Sequence, residues 1–202
     1  MAYTDFTPDT VQQKLGLTLQ VVGLFPKLMP IAVPAWLNDQ LAKTRQIALL
    51  NEKSRSEFIV APILIAVSDL TEGRVVILSG QRLDVDPTRG LNGECDFILS
   101  IGIPLPILQP PLLTLVEAKK QDIESAIGQC LAQMVAARMF NEKAGIANQP
   151  IYGCVTTGEN WQFMRLMGTV AEVDSDRFYL DNIGGILAAL LRAVGHPRPA
   201  SA

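Results

Sequence analysis

The order of apolar patterns along the chain predicts an α/β or α+β fold, in which a mixed β-sheet is flanked by helices. Short apolar runs rich in β-branched residues are typical of strands, and they occur both before and after one long helical stretch. That stretch, residues 122–143, carries an apolar stripe at helical spacing, and Gly145 is expected to end it. Residues 157–160, Thr-Gly-Glu-Asn, have the composition of a hairpin turn. The predicted order is helices, three strands, a long helix, two or three strands and a final helix.

The N-terminal part of the chain is expected to be mainly helical. Residues 7–9, Thr-Pro-Asp, combine an N-cap residue, a proline for the first helical position and an acidic side chain that complements the helix dipole. Residues 17–34 contain one glycine and three prolines, so we expect an irregular, partly buried connection. A second helix is predicted over residues 34–52. A third is predicted over residues 54–69, with a kink at Pro62 because proline cannot donate a helical hydrogen bond.

Most of the remaining predicted elements are strands. Residues 102–111 contain four prolines, so a surface loop is expected there rather than a central strand. A final apolar helix is predicted over residues 183–194, followed by a loose tail. The predicted strands cover residues 74–86, 94–100, 113 onward, 151–156 and 161–167, with residues 170–180 as a candidate further strand.

The length of 202 residues fits a single domain, and 49% hydrophobic residues with a mean hydropathy of +0.25 predict a substantial core. We expect residues 51–167 to form the centre of this domain. Residues 1–50 would be a helical N-terminal extension, and residues 168–202 a C-terminal strand, helix and tail. The net charge of −3 and the pI of about 5.2 argue against binding nucleic acid through bulk charge, although a local basic patch stays compatible with them.

The cysteine and histidine content argues against a zinc or redox protein. Cys95, Cys130 and Cys154 are far apart, no Cys-x-x-Cys pair occurs, and the only histidine is His196. Buried reduced thiols in a cytoplasmic protein are the favoured interpretation. No signal peptide is apparent. The longest apolar run, residues 58–67, is about half of the ~20 residues that a membrane helix needs, so no membrane association is expected.

The stretch most suggestive of chemistry is residues 113–120, Leu-Thr-Leu-Val-Glu-Ala-Lys-Lys. Here an apolar strand runs directly into a carboxylate and an ammonium group. Because alternate side chains of a strand share a face, Glu117 and Lys119 are expected to point the same way. Burying such a pair costs desolvation free energy unless the pair has a function or reaches the surface.

Asp96, on the preceding predicted strand, is the natural partner of this pair. If the two strands are neighbours, Asp96 and Glu117 form a hard-oxygen site suited to Mg²⁺ or Mn²⁺, with the backbone carbonyl of Ala118 as a further candidate ligand. Lys119 would then lie near a metal-bound water. Phosphodiester hydrolysis needs these parts, a metal that polarises the phosphate and acidifies a water, and a cation that orients the water or stabilises developing charge.

The spacing of these residues resembles that of the PD-(D/E)XK nuclease superfamily. The matching segments are Gly93-Glu-Cys-Asp96, then Val116-Glu-Ala-Lys119, then a helix that contains Gln129. Cys95 stands where the proline of the family motif would be. The resemblance spans roughly residues 50–167. Within it, the chain is similar to stand-alone members of cyanobacterial type, which share the hairpin residues Thr156, Gly158 and Trp161.

This resemblance implies a restriction-endonuclease-like core and a nuclease that hydrolyses phosphodiester bonds, with DNA as the expected substrate. It further implies that Asp96 and Glu117 bind Mg²⁺ or Mn²⁺, that Lys119 assists the attacking water and that Gln129 supports the site. Glu57 would be the upstream helical glutamate of the superfamily.

Each of these residues also has a simpler interpretation. Glu117 and Lys119 could form an exposed ion pair at a strand end, worth about 0–1 kcal/mol. Asp96 could face solvent on an edge strand, and Glu57 could be a surface glutamate. Gln129, together with Gln133 one turn later, could lie on the flank of a helix without a further role.

The function therefore has two candidate descriptions at this point. One is a Mg²⁺-dependent endonuclease, and the other is a catalytically silent nuclease fold kept for binding nucleic acid or protein. A homodimer is a further hypothesis, because many nucleases cut two strands with two copies, and the apolar segment 17–37 could supply the contact.

Overall fold

The computed structural model describes residues 1–105, 107–119 and 123–195, and seven of its strands form one mixed sheet. The sheet order is β1-β7-β6-β5-β4-β3-β2, with helices packed on both faces, which confirms the predicted fold class. The nuclease-type core within it stays a prediction. The strands are β1 Thr18–Val22, β2 Val75–Arg82, β3 Glu94–Ile101, β4 Leu112–Ala118, β5 Ile151–Thr156, β6 Asn160–Met167 and β7 Val170–Tyr179. The α-helices are α1 Pro8–Leu15, α2 Ala35–Thr44, α3 Glu52–Arg55, α4 Ala61–Leu70, α5 Ile123–Lys143 and α6 Ile183–Ala193.

The position of α5 follows from the strand directions. Strands β2, β3 and β4 are antiparallel neighbours, and β5, β6 and β7 are too, whereas β4 and β5 are parallel. Parallel neighbours need a crossover connection, and α5 provides it. The helix therefore passes back across β4 and β5, which places its side chains beside the strand that carries Glu117.

Two apolar cores hold the layers together, one on each face of the sheet. The first lies under α5 and α1 and includes the N-terminal aromatic residues Tyr3 and Phe6. The second lies under α2, α4 and α6 and includes Trp161 and Phe163. At roughly 25 cal/mol per Å² of buried apolar surface, burial in these cores is the main stabilising contribution to the fold.

The structure corrects the prediction for the first 52 residues. The segment 17–34, expected to be irregular, contains strand β1, which pairs in parallel with β7 at the edge of the sheet. The glycine and the prolines that suggested irregularity all follow β1. The helix predicted over residues 34–52 ends at Thr44, and α3 begins only at Glu52. The extension of residues 1–50 is therefore helical only in part.

The deformation predicted at Pro62 is present, but it lies one turn earlier. Residues Ser56–Val60 form a π-helical turn, in which the N–H of Ala61 donates to the carbonyl of Ser56. Pro62 has no N–H for the carbonyl of Phe58, and the hydroxyl of Thr44 donates to that carbonyl instead, at 3.1 Å. The last residue of α2 is thereby tied to the π-helical turn.

The elements of the C-terminal half agree with the sequence. The strands β5 and β6, the helices α5 and α6 and the candidate strand β7 are all formed. Strand β2 ends at Arg82 rather than at residue 86, because the chain turns through residues 83–93 with Asp86 capping a short 3₁₀ helix. The predicted tail and His196 lie outside the described residues. Within the part of the chain that the structure describes, no helix combines the length and the apolarity needed to cross a membrane.

Candidate active site

Strands β3 and β4 are antiparallel neighbours, so the start of β3 lies beside the end of β4. Phe97 pairs with Val116 in this register. Asp96 therefore comes next to the segment that holds Glu117 and Lys119, and its Oδ2 accepts a hydrogen bond of 2.7 Å from the N–H of Ala118. Since β3 lies between β2 and β4, the interpretation of Asp96 as a solvent-facing residue of an edge strand is wrong.

Glu117 is a buried carboxylate held by three donors. Only 2% of the residue is exposed. Its Oε1 accepts hydrogen bonds from Gln129 Nε2 and from Lys119 Nζ, the latter at 2.9 Å, and its Oε2 accepts one from Gln133 Nε2 at 2.9 Å. The interpretation of Glu117 and Lys119 as an exposed surface pair is therefore wrong, and the predicted shared face of the two side chains is present.

Two glutamines reach this carboxylate because of helical periodicity. Gln129 and Gln133 are four residues apart, so they lie on the same side of α5 one turn apart. That side packs on the sheet, and both residues are buried. Gln133, which the sequence suggested was an ordinary flanking residue, is a contact of the site that sequence reasoning missed. Its spacing of one turn from Gln129 was the available signal.

A cleft of about 380 Å³ opens above the two strand ends. Asp96 and Ala118 line it, whereas Glu117 is buried and does not form part of its wall. Because the N–H of Ala118 points to Asp96 on β3, the carbonyl of the same residue in an extended strand points to that side too. The other lining residues come from the helical segment 52–57 and from β2 and β3, and they are Glu52, Lys53, Ser56, Glu57, Ser79, Gly80 and Glu94.

Glu57, the helical glutamate proposed from the sequence, lies at this cleft, but Glu52 is another candidate for that role. Glu57 is on the π-helical turn, is about half exposed and forms an ion pair with Lys53 at 3.8 Å. Glu52, at the start of α3, lines the same cleft. Its charge contributes to the pKa shifts of both Asp96 and Lys119, whereas that of Glu57 is not among the principal contributions. Glu52 is therefore a second candidate for the helical glutamate, and sequence reasoning missed it.

The hairpin that follows β5 supports the helical segment of the cleft. Gly158, at φ +84°, lies against the side chain of Ile59, and a Cβ at this position would come within 3.2 Å of it. The indole of Trp161 donates to the carbonyl of Gly158 at 3.0 Å. Arg55 donates to the carbonyl of Thr157 at 3.0 Å. The hairpin residues named in the resemblance thus hold α3 and the π-helical turn over the strand ends.

The three charged groups of the site shift one another's pKa values. Burial raises the pKa of Asp96, against the opposing effects of the Ala118 N–H and of Lys119. Burial also raises the pKa of Glu117, and the negative charge of Asp96 adds to this effect. Burial lowers the pKa of Lys119, but the charges of Glu117, Glu52 and Asp96 outweigh it, so its pKa is raised. The two acids therefore retain a proton more readily than free carboxyl groups do, and such perturbed groups are typical of functional sites.

The donor set fits a hard divalent cation in type but is small. Asp96, Glu117 and the carbonyl of Ala118 offer oxygen alone, which suits Mg²⁺ or Mn²⁺. The ammonium of Lys119 already lies on Oε1 of Glu117, so this carboxylate does take a cationic partner. Within residues 1–105, 107–119 and 123–195, no three Cys, His, Asp or Glu side chains converge as ligands around one point. Any further ligands of such an ion would be water or substrate oxygens.

The cysteines take no part in this site. Cys95, Cys130 and Cys154 are buried and unpaired, as the sequence predicted. Burial raises the pKa of each thiol, so none is a reactive thiolate near neutral pH.

No family model matches the chain, and a search of curated proteins finds no match.

Proposed function

We propose that the protein is a metal-dependent nuclease with a restriction-endonuclease-like core, acting on the phosphodiester bonds of DNA. The observation that supports this most directly is the buried carboxylate of Glu117, which binds Lys119 and two glutamines directly beside Asp96. A buried charged group is costly, and a lone ion pair of this kind is a weak source of stability. Its position next to Asp96 and Ala118, which line an acidic cleft, therefore favours a chemical role.

Each residue of the site has a distinct part in this proposal. Asp96 and Glu117, with the carbonyl of Ala118, would hold Mg²⁺ or Mn²⁺, which supplies Lewis acidity and a water of lowered pKa when bound. Lys119 would orient that water and stabilise negative charge developing on the phosphate. Gln129 fixes Glu117 from the helix side. Glu57 and Glu52 add two further carboxylates to the lining of the cleft.

Plasmid nicking in the presence of Mg²⁺ or Mn²⁺ tests this proposal. Wild-type protein should nick DNA, and Asp96→Ala and Lys119→Ala should each reduce the rate by about two orders of magnitude or more. Lys14→Ala, which removes an exposed lysine on α1, serves as a control and should retain activity. Nicking that survives both substitutions would belong to a contaminant or to another site.

The alternative of a catalytically silent binding module is favoured by one specific observation. Both oxygens of Glu117 are already engaged by donors of the chain itself, so the carboxylate is satisfied without an ion. Calorimetric titration with Mn²⁺ separates the two functions. Saturable binding that Asp96→Ala abolishes supports the enzyme, and a folded protein that takes up no divalent cation supports the module.

The setting in which the enzyme acts belongs to the same proposal. Three buried, unpaired thiols favour the reducing cytoplasm.

A homodimer would place two sites on the two strands of a duplex. Val21, Met29 and Trp36 lie in the segment 17–37 and are 73%, 63% and 39% exposed, which makes this segment the candidate contact. Light scattering that finds a monomer at high protein concentration would exclude the dimer.

A further inference from the structure

We propose that Gln133 is a positioning residue of the candidate site, which fixes the rotation of the Glu117 carboxylate beside Lys119 and Asp96 and thereby supports cation binding there. This inference rests on the proposed function, since it assigns a role at the same site. It adds to that function a residue that neither the resemblance nor the cleft identifies.

The contacts of Glu117 make its two oxygens inequivalent. Oε1 meets the ammonium of Lys119 and the amide of Gln129, whereas Oε2 meets the amide of Gln133. The terminal torsion of a glutamate is broad and roughly two-fold, so donors on one oxygen alone leave the carboxylate plane poorly defined. A donor on the second oxygen defines the plane. Gln133 is therefore the contact that fixes the carboxylate plane, together with the donors that Gln129 and Lys119 direct at Oε1.

The cost of burying Gln133 argues that packing is not its role. The residue is completely buried, on a part of α5 where its neighbours Ala132 and Met134 are buried and apolar. Its own carbonyl oxygen has no hydrogen-bond partner within the part of the chain that the structure describes. A buried acceptor without a partner lowers stability, and an apolar side chain of the same length would avoid this loss. The benefit of an amide here is the bond to Glu117.

Asn141 shows how a buried amide on the same helix differs when its role is structural. Its Oδ1 accepts from the N–H of Leu112 and its Nδ2 donates to the carbonyl of Leu112, both at 2.8 Å. Both the oxygen and the nitrogen of this amide are paired, and they fasten α5 to the first residue of β4. Gln133 uses only its donor, and it uses that donor on a charged side chain. Asn141 is therefore a matched control for any general loosening of α5 against β4.

The test compares Mn²⁺ binding by calorimetry in wild type, Gln133→Met, Gln133→His and Asn141→Leu. Gln133→Met keeps the length of the side chain and removes the donor, so we expect Mn²⁺ affinity to fall by roughly 10- to 100-fold. Gln133→His places an N–H at similar reach and should recover part of the affinity. Asn141→Leu should lower the thermal midpoint while leaving Mn²⁺ affinity within about two-fold of wild type. Equal affinities in wild type and Gln133→Met would overturn the inference.

A second measurement on the folded wild-type chain keeps the inference testable without a metal. The side-chain amide of Gln133 should give a nitrogen resonance that shifts in Glu117→Gln, because a charge-assisted hydrogen bond is replaced by a neutral one. An unchanged resonance would refute the role of Gln133 by itself. By contrast, a wild-type protein that binds no Mn²⁺ while the Gln133 resonance does shift would count against the proposed nuclease and not against the contact. Circular dichroism of each variant establishes that it is folded.

Discussion

At the scale of single residues, Glu117 is the group whose surroundings constrain the site most. Its carboxylate has lost nearly all contact with water, and it has Asp96 as a like charge and Lys119 as an opposite charge. Burial and the like charge favour a proton or a cation at this place, while the ammonium favours the ionised form. Competition between protons and a metal ion for Glu117 and Asp96 can therefore be measured through its dependence on pH.

The first prediction concerns the pH dependence of metal stabilisation. Burial raises the pKa values of both Asp96 and Glu117 above their ordinary values of 3.8 and 4.5. Between those values and the raised ones, the folded chain binds more protons than the unfolded chain. The contribution of these groups to the free energy of unfolding without metal therefore falls as pH rises through that window. Because a bound cation competes with those protons, we expect the rise in thermal midpoint caused by saturating Mn²⁺ to grow as the pH rises above the ordinary pKa values of these two acids.

Thermal shifts of wild type and Asp96→Asn measure this effect. Asp96→Asn removes one of the two acids and should reduce both the Mn²⁺ shift and its pH dependence. A Mn²⁺ shift of constant size across the pH series would contradict the assignment of these two acids as ligands.

A second prediction distinguishes the two helical glutamates. Glu52 acts on the pKa values of Asp96 and Lys119, while Glu57 is about half exposed and paired with Lys53. We therefore expect Glu52→Gln to reduce nicking by roughly ten-fold or more, and Glu57→Gln to reduce it less. The ratio of the two rates, measured with the same plasmid and the same metal, decides between them. A larger loss in Glu57→Gln would restore the assignment made from the sequence.

At the scale of elements, the π-helical turn between α3 and α4 determines how the cleft is built. Its irregularity follows from Pro62, whose missing N–H leaves the carbonyl of Phe58 to the hydroxyl of Thr44. A side chain at the end of α2 thereby fixes the segment that carries Glu57. Such π-helical insertions occur frequently at functional sites.

The third prediction tests that link between elements. Thr44→Val keeps the shape of the side chain and removes the donor, which leaves the partly buried carbonyl of Phe58 without the Thr44 hydroxyl. We expect the free energy of unfolding to fall by about 1–3 kcal/mol. Thr18→Val, at an exposed position of β1, should change it by less than about 0.5 kcal/mol. Urea denaturation of the two variants measures both values, and equal stabilities would show that the Thr44 contact does not matter.

At the scale of the whole molecule, α5 is the element that joins the parts of the chain. It covers β4 and β5, it supplies both glutamines of the site, and its Gly128 lies against the N-terminal segment. A Cβ at Gly128 would come within 2.4 Å of the backbone carbon of Thr7 and 2.5 Å of the carbonyl oxygen of Phe6. The first residues of the chain therefore pack directly against Gly128, the residue before Gln129 on α5.

The fourth prediction follows from that close approach. Gly128→Ala should destabilise the protein by about 1–3 kcal/mol, because backbone atoms have to move to admit one methyl group. Gly23→Ala is the matched control, since its Cβ would meet only Ser175 Oγ at 3.9 Å. Differential scanning calorimetry of both variants checks the expectation. A thermal midpoint of Gly128→Ala equal to that of the control would mean that the N-terminal segment does not pack on α5 in solution.

The sequence by itself determined the features that depend on local periodicity. Residues two apart on a strand share a face, which put Glu117 and Lys119 on one side before any pairing was known. Residues four apart on a helix share a face, which put Gln129 and Gln133 together. The mixed sheet followed from the order of strands around one long helix. These inferences held because backbone dihedrals repeat over a few residues, whatever the rest of the chain does.

Only the tertiary structure decided which distant groups meet. Strand β1 exists because β7, some 150 residues later, pairs with it, and its five residues alone carry no sufficient signal. The place of Glu52 beside Glu57 at the cleft and the bond from Thr44 to Phe58 depend on how distant segments pack together. The role proposed for Gln133 also depends on tertiary packing, because only the folded chain brings its amide donor onto the buried carboxylate of Glu117. Non-local contacts of this kind are set by packing and burial over the whole chain, which a local pattern does not encode.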